Sequence, residues 1–135
     1  MAKFGKVSKE RLATCDPRLQ KVFNRVIESF DCTIIEGFRG KEAQNLAYAQ
    51  GKSKLKWPKG NHNSNPSRAV DVMPYDPNIG GINWKDTLRM AYFAGFVMAT
   101  AKEMGIRLRW GHDWDGDTDL HDQDFNDGPH YELID

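Results

Sequence analysis

The residues of this 135-residue chain whose types and spacing suit chemistry are His62, Asp71 and His130. Asp71 interrupts the apolar run Arg68-Ala69-Val70-Asp71-Val72-Met73. Alternate side chains of such a strand point to opposite faces, so Val70 and Val72 share one face while Ala69, Asp71 and Met73 share the other. A carboxylate on a largely buried strand costs several kcal/mol unless it is paired or holds a metal. His62 lies nine residues upstream, close enough for a loop to bring its imidazole beside Asp71. His130 and Glu132 alternate with Tyr131 and Leu133, which puts both polar side chains on one face of a terminal strand. Two histidines and an aspartate are a ligand set for a catalytic zinc, three protein ligands with one position left for water. Zn2+ lowers the pKa of that water toward about 7. A carboxylate can then take its proton, and a cation beside the developing oxyanion stabilises the intermediate. Asp127 is the candidate base and Arg39 the candidate cation. His112 and His121 compete as ligands but rank lower, because both sit in an acidic stretch without a strand to hold them. The non-catalytic alternative is that Asp71 caps a loop and His62 is solvated.

Several elements must position these groups. Asp16-Pro17 is a helix start, an N-cap acceptor followed by proline at the first helical position. Leu19, Val22, Phe23, Val26, Ile27 and Phe30 follow at helical spacing as a single apolar stripe. Residues 32–35 read as a short buried strand, and residues 36–40 turn the chain so that Arg39 stands just past the strand end. Residues 41–50 form a second helix with Gly51 as its C-cap; Gln44, near its start, faces either water or a cleft. Residues 51–60 are a loop holding Lys52, Lys54, Lys56 and Lys59 around Trp57-Pro58, suited to solubility or to contact with an anionic polymer. Residues 84–104 are the longest helical segment, with Leu88, Ala91, Tyr92, Phe96, Ala99 and Met104 as the expected buried face. Residues 106–110 alternate as a strand. Residues 111–129 are long for a loop and carry seven aspartates. Asp113, Asp115, Asp117 and Asp119 alternate as the oxygen ligands of an EF-hand loop do, which makes Ca2+ a second candidate ion. The match is incomplete: Thr118 stands where that turn wants glycine, and no EF-hand helices flank it.

Composition narrows the class. A chain of this length is expected to form one domain over residues 1–135 and to bury roughly two thirds of its unfolded surface. Formal net charge is zero, but residues 1–60 carry 13 Lys/Arg against 6 Asp/Glu and residues 61–135 carry 6 against 13. A basic side and an acidic side are expected, and a whole-molecule basic field for nucleic acid is not supported. Cys15 and Cys32 show no C-x-x-C spacing, so synthesis in a reducing cytosol is the simpler expectation. No apolar core of signal-peptide length and no membrane-spanning run is present, so neither a signal peptide nor stable membrane insertion is expected. Work outside the cytosol would need another route of release.

The pattern His62-Asn63-x-x-Pro66-Ser67-x-Ala69-x-Asp71-x-x-Pro74-Tyr75, with Asp127-x-x-His130-x-Glu132, resembles the D-alanyl-D-alanine carboxypeptidase and L-alanyl-D-glutamate endopeptidase group of zinc peptidases. It is most similar to the small phage and prophage endolysins of that group, which share a zinc site with the hedgehog signalling domain. The likeness runs from about Phe4 to Ile134 and includes Gly37-Phe38-Arg39, Gln44 and Trp110-Gly111-x-Asp113-Trp114. It departs from the usual pattern at one place: the family spaces histidine and aspartate seven residues apart with a glycine between, whereas here the interval is nine and Pro66-Ser67 replaces the glycine region. The resemblance implies an α+β fold, a small antiparallel sheet with flanking helices. It also implies zinc on His62, Asp71 and His130, Asp127 as general base, Arg39 on the substrate or oxyanion, and Gln44 and Ser67 among the substrate contacts. The implied substrate is the peptidoglycan stem peptide, cut between L-Ala and D-Glu by a monomer made in the host bacterial cytoplasm that reaches the wall after release. A D,D-carboxypeptidase releasing D-Ala and a non-enzymatic, metal-containing wall-binding module are the alternatives.

Overall fold

Four antiparallel strands carry the candidate site. The computed structural model describes residues 2–113, 116–119 and 127–134. In chain order the elements are helices α1 (Lys6–Leu12) and α2 (Pro17–Val26), strand β1 (Cys32–Glu36), helix α3 (Lys41–Ala49), a single 3-10 turn (Asn61–Asn63), strand β2 (Ala69–Pro74), helix α4 (Thr87–Glu103), and strands β3 (Leu108–Trp110) and β4 (His130–Leu133). The sheet order is β1-β2-β4-β3, so the class is the expected α+β with an antiparallel sheet and flanking helices.

The two faces of the sheet have different jobs. Val70, Val72, Ile34, Tyr131 and Leu133 face a core completed by Leu19, Val22, Phe23 and Val26 of α2 and by Phe93, Ala94 and Val97 of α4. Asp16 starts α2 as read from sequence, its Oδ1 accepting from the Arg18 N–H at 2.9 Å. Phe23 meets the Tyr131 ring edge-on, with centroids 5.5 Å apart. Burying each such large side chain contributes roughly 1.5–3 kcal/mol, so α2 and α4 clamp the sheet from one side and leave the other free for polar groups.

Helix α4 is buried through a different stripe from the expected one. Met90, Phe93, Ala94, Val97, Thr100 and Ala101 face inward, whereas Leu88 is 82% exposed, and Tyr92, Phe96 and Met104 are exposed with it. The cause is composition: apolar residues run round most of the helix, so periodicity selects no face, and the neighbouring sheet and α2 do. Tyr92 and Phe96 still find cover, packing against Phe30 with ring centroids 5.6 and 6.0 Å apart.

Strand register assembles the polar face. Asp71 of β2 stands opposite His130 of β4 on one side and opposite Glu36 of β1 on the other, where an irregularity follows Ile34. Glu132 stands opposite Ala69 of β2 and Arg109 of β3. Paired residues of antiparallel strands project to the same side, so Glu36, Asp71 and His130 form a row across three strands.

Candidate metal centre and catalytic cleft

His62 reaches the row from the 3-10 turn. Its Nδ1 donates to the Gly37 carbonyl oxygen at 2.7 Å, and the Arg39 N–H donates to the His62 carbonyl at 2.7 Å, so the turn is bound to the segment after β1. Since a carbonyl only accepts, the Nδ1 must carry the proton, and Nε2 of the neutral ring presents a lone pair inward. His130 is oriented from the far side in the same way. Its Nε2 lies 2.7 Å from Glu132 Oε1, and donation there leaves Nδ1 of the neutral ring as the inward lone pair. Glu132 is itself held by Arg109 Nη2 and Asn61 Nδ2, each at 2.8 Å.

Three atoms therefore converge. His62 Nε2, His130 Nδ1 and Asp71 Oδ1 stand 3.2 Å from one another along every edge. Tetrahedral ligand bonds of about 2.0–2.1 Å set ligand atoms about 3.3–3.4 Å apart, so the triangle fits one face of such a site. Among the described residues these three side chains form the group that could hold a metal ion. Burial pushes the Asp71 carboxyl up, but the charge on His62 when its ring is protonated, with hydrogen bonds from His130 and from that protonated ring, outweighs it and holds the group well below the usual carboxylate range. Burial also pulls His130 down, yet its bonds to Asp71 and Glu132 raise it to about 10. A proton on Nδ1 and a metal ion are thus alternatives for the same set of lone pairs. Glu132 is lowered to about 2, burial being overcome by hydrogen bonds from His130 and Arg109.

Asp127 stands beside this triangle, Oδ2 lying 3.8 Å from His130 Nδ1. Its place is set by a knot of main-chain bonds: Asp127 N–H to the Gly111 carbonyl at 2.8 Å, Gly111 N–H to the His130 carbonyl at 2.8 Å, and His130 N–H to the Asp127 carbonyl at 3.0 Å. A Cβ on Gly111 would collide with the Asp127 carbonyl oxygen and crowd His130 Cβ, so glycine is required for this approach. The Trp110 indole N–H adds a bond to the Gly128 carbonyl at 2.7 Å. Burial and the neighbouring Asp71 charge raise Asp127 to about 6 against the opposing pull of His130, His62 and Arg39. Two carboxylates in one site are thereby driven in opposite directions, which is the condition for giving them different roles.

Arg39 lines the same cleft with its plane fixed. Nε donates to Glu36 Oε1 at 2.6 Å, Nη2 pairs closely with the same oxygen, Nη1 donates to Gln44 Oε1 at 3.0 Å, and Nη2 lies 3.7 Å from Asp71 Oδ2.

The two expected substrate contacts, Gln44 and Ser67, lie inside the protein. Gln44 is 1% exposed. Its Oε1 accepts from Arg39 and from Asn63 Nδ2 at 3.1 Å, and its Nε2 donates to Ser53 Oγ at 3.0 Å and the Leu55 carbonyl at 2.5 Å. Both polar atoms of its amide have internal partners, one of them Arg39, so Gln44 helps to aim that guanidinium. Ser67 is 0% exposed and donates its hydroxyl to the Ala69 carbonyl at 2.6 Å, shaping the turn into β2.

The cleft has a volume of about 830 Å³. Asp71, Asp127, Glu36 and Arg39 line it together with Ala43, Leu46 and Ala47 of α3, Trp84 and Lys52. His112 stacks on Trp110 with ring centroids 5.2 Å apart and does not belong to the metal-ligating group; His121 lies outside the described residues. Of the acidic alternation, Asp115 lies outside them too. Asp113 Oδ2 accepts from the Thr118 N–H at 3.0 Å and Asp117 Oδ1 from the Asp119 N–H at 2.8 Å. Thr118 takes the left-handed φ of 68° that a glycine would favour at that place.

Glu36, Glu132 and Gly111 are the supporting residues that the sequence did not single out for these tasks. Glu132 sharing a strand face with His130 was the available signal. Nothing in the sequence marks Gly111 as the point where Asp127 docks.

Comparison with known proteins places the chain. The sequence model of the phage L-alanyl-D-glutamate peptidase family matches residues 1–134. The chain belongs to this family. A relative, the L-alanyl-D-glutamate peptidase of Escherichia phage T5, is 40% identical over 140 residues, covering 98% of each sequence. The crystal structure of the L-Ala D-Glu endopeptidase ChiX of Serratia marcescens is similar over 98% of this chain and 90% of that one, with a TM-score of 0.75 and 25% identity.

Proposed function

We propose that this chain is a zinc-dependent endopeptidase that hydrolyses the L-Ala–D-Glu bond of the peptidoglycan stem peptide, made in the host cytoplasm and acting as a phage endolysin once released to the wall. The observation that carries the proposal is the convergence of three inward lone pairs beside a carboxyl whose affinity for protons is raised to about 6. When bound, zinc supplies Lewis acidity toward a carbonyl and toward water, lowering the pKa of the latter to about 7. His62, Asp71 and His130 would hold it. Asp127 accepts the proton of the attacking water and returns it to the amine that leaves, a cycle suited to a group titrating near neutral pH. Arg39, kept flat by Glu36 and Gln44, brings positive charge to the cleft where the carbonyl oxygen becomes negative.

The test is incubation of purified protein with peptidoglycan, with and without a zinc chelator, and mass spectrometry of what is released. New L-Ala carboxyl ends and peptides beginning with D-Glu, lost on chelation and restored by zinc, are expected. Release of free D-Ala alone would reassign the chain as a carboxypeptidase, and intact peptidoglycan with zinc bound would reassign it as a binding module.

A further inference from the structure

We propose that Lys52 is the cation by which this cleft selects its substrate, taking the free carboxylate of the glutamyl residue next to the scissile bond; the assignment rests on the peptidase function proposed above. A glutamyl residue within a chain uses one of its two carboxyl groups to continue that chain and keeps the other as an anion. Substrate therefore brings a negative charge into a cleft already lined by Glu36, Asp71 and Asp127, and a cation must offset the repulsion.

Two described cations line the cleft, Arg39 and Lys52. Arg39 is engaged by Glu36, Gln44 and Asp71. Lys52 is exposed, and its ammonium has no hydrogen bond or ion pair with any described residue.

The position of Lys52 is nevertheless well defined at its base. Gly51 closes α3 with a φ of +76°, a conformation that favours glycine. The Lys52 and Ser53 N–H groups donate to the Ala47 carbonyl at 2.9 and 3.2 Å. Gln44 Nε2 grips Ser53 Oγ and the Leu55 carbonyl, and Asn45 Oδ1 accepts from the Trp57 N–H at 3.1 Å. The buried glutamine that aims Arg39 therefore also anchors the loop bearing Lys52, so both cations are referenced to one point. A compact ammonium on a flexible stem above a fixed base suits a carboxylate that arrives and departs with substrate. The other lysines of the loop are placed differently: Lys54, Lys56 and Lys59 do not line the cleft, and Lys56 Nζ lies 4.9 Å over the Tyr48 ring.

The experiment uses two stem peptides that differ only in whether that carboxyl is free or amidated, with kcat and KM measured on the zinc-loaded protein. The wild type should cleave the acid roughly tenfold better than the amide, chiefly through KM, the size expected of one charge-assisted hydrogen bond. Lys52→Gln should abolish the preference by slowing the acid alone, Lys52→Glu should reverse it, and Lys52→Arg should keep most of it. Lys59→Gln should retain the wild-type ratio. No preference in the wild type, an unchanged ratio in Lys52→Gln, or an equal loss in Lys59→Gln overturns the assignment. Cleavage of neither peptide by the wild type overturns the peptidase function itself, and Lys52's role with it.

Discussion

At the metal centre, a floor that meets the cleft through Asp71, His62, Asp71, His130 and Glu132 each have a partner that fixes their orientation, whereas along the wall Leu46 and Lys52 are exposed and Trp84 is 54% exposed. The floor rises from paired strands and a turn bonded to them; the wall comes from a helix face, a loop and the approach to α4. Metal chemistry needs ligand atoms placed to within a few tenths of an ångström before substrate arrives, and only buried, mutually bonded groups on rigid elements hold that tolerance. Recognition needs surface that water can leave, so its residues stay uncovered until a ligand covers them.

The largest effect expected from breaking this contrast is on the floor. Asp71→Ala or His130→Ala should remove bound zinc and lower kcat/KM by roughly 10³-fold or more, the loss of several kcal/mol of Lewis-acid stabilisation; metal analysis alongside peptide cleavage checks both halves. Asp127→Asn should lower kcat roughly 10²- to 10⁴-fold with zinc retained.

The sign of the pH dependence follows from the same residue. A base must be ionised to act, so activity falls as pH drops through the Asp127 pKa. Burial and the Asp71 charge push it up to about 6, and a neighbouring zinc would pull it down, so the acid limb of kcat/KM should lie at or below about 6. An acid limb above that would remove Asp127 from the role.

A smaller effect is expected one bond further from the ion. Glu132→Gln keeps the shape but weakens the hold on His130 Nε2, and zinc affinity should fall roughly 10- to 100-fold. Titration calorimetry checks this. It should also show affinity rising with pH roughly tenfold per unit below about 10, since a proton held on His130 to about 10 competes with the ion. The smallest effect belongs to the wall: Trp84→Ala should raise KM a few-fold and leave kcat and zinc content unchanged, as steady-state kinetics with metal analysis would show. A loss of zinc there would erase the distinction between floor and wall.

Much of the floor was legible in the chain. A carboxylate breaking an apolar strand and a histidine alternating with a glutamate on another are departures from pattern, and such departures have few inexpensive explanations. The wall and the supports were less legible. Gln44 looked like a cleft residue because a polar side chain near a helix start can face either way, and only the packing of residues 53–63 over it shows that it is buried. The stripe of α4 failed for the complementary reason, since a helix apolar round most of its circumference carries no directional signal.

By itself, then, the sequence determined the strands, the α2 stripe and the identity of the ligand candidates, because these follow from local periodicity and from the cost of burying charge. The tertiary structure decided which atoms meet. His130 faces Asp71 because β2 and β4 pair in one register across 59 residues of chain. The imidazoles turn Nε2 and Nδ1 inward because Gly37 and Glu132 engage the opposite nitrogens. Asp127 reaches the site because Gly111 lets two backbones touch. Apart from the His130–Glu132 bond within β4, each is a contact between distant segments, whose geometry depends on how the elements pack and which local periodicity does not encode.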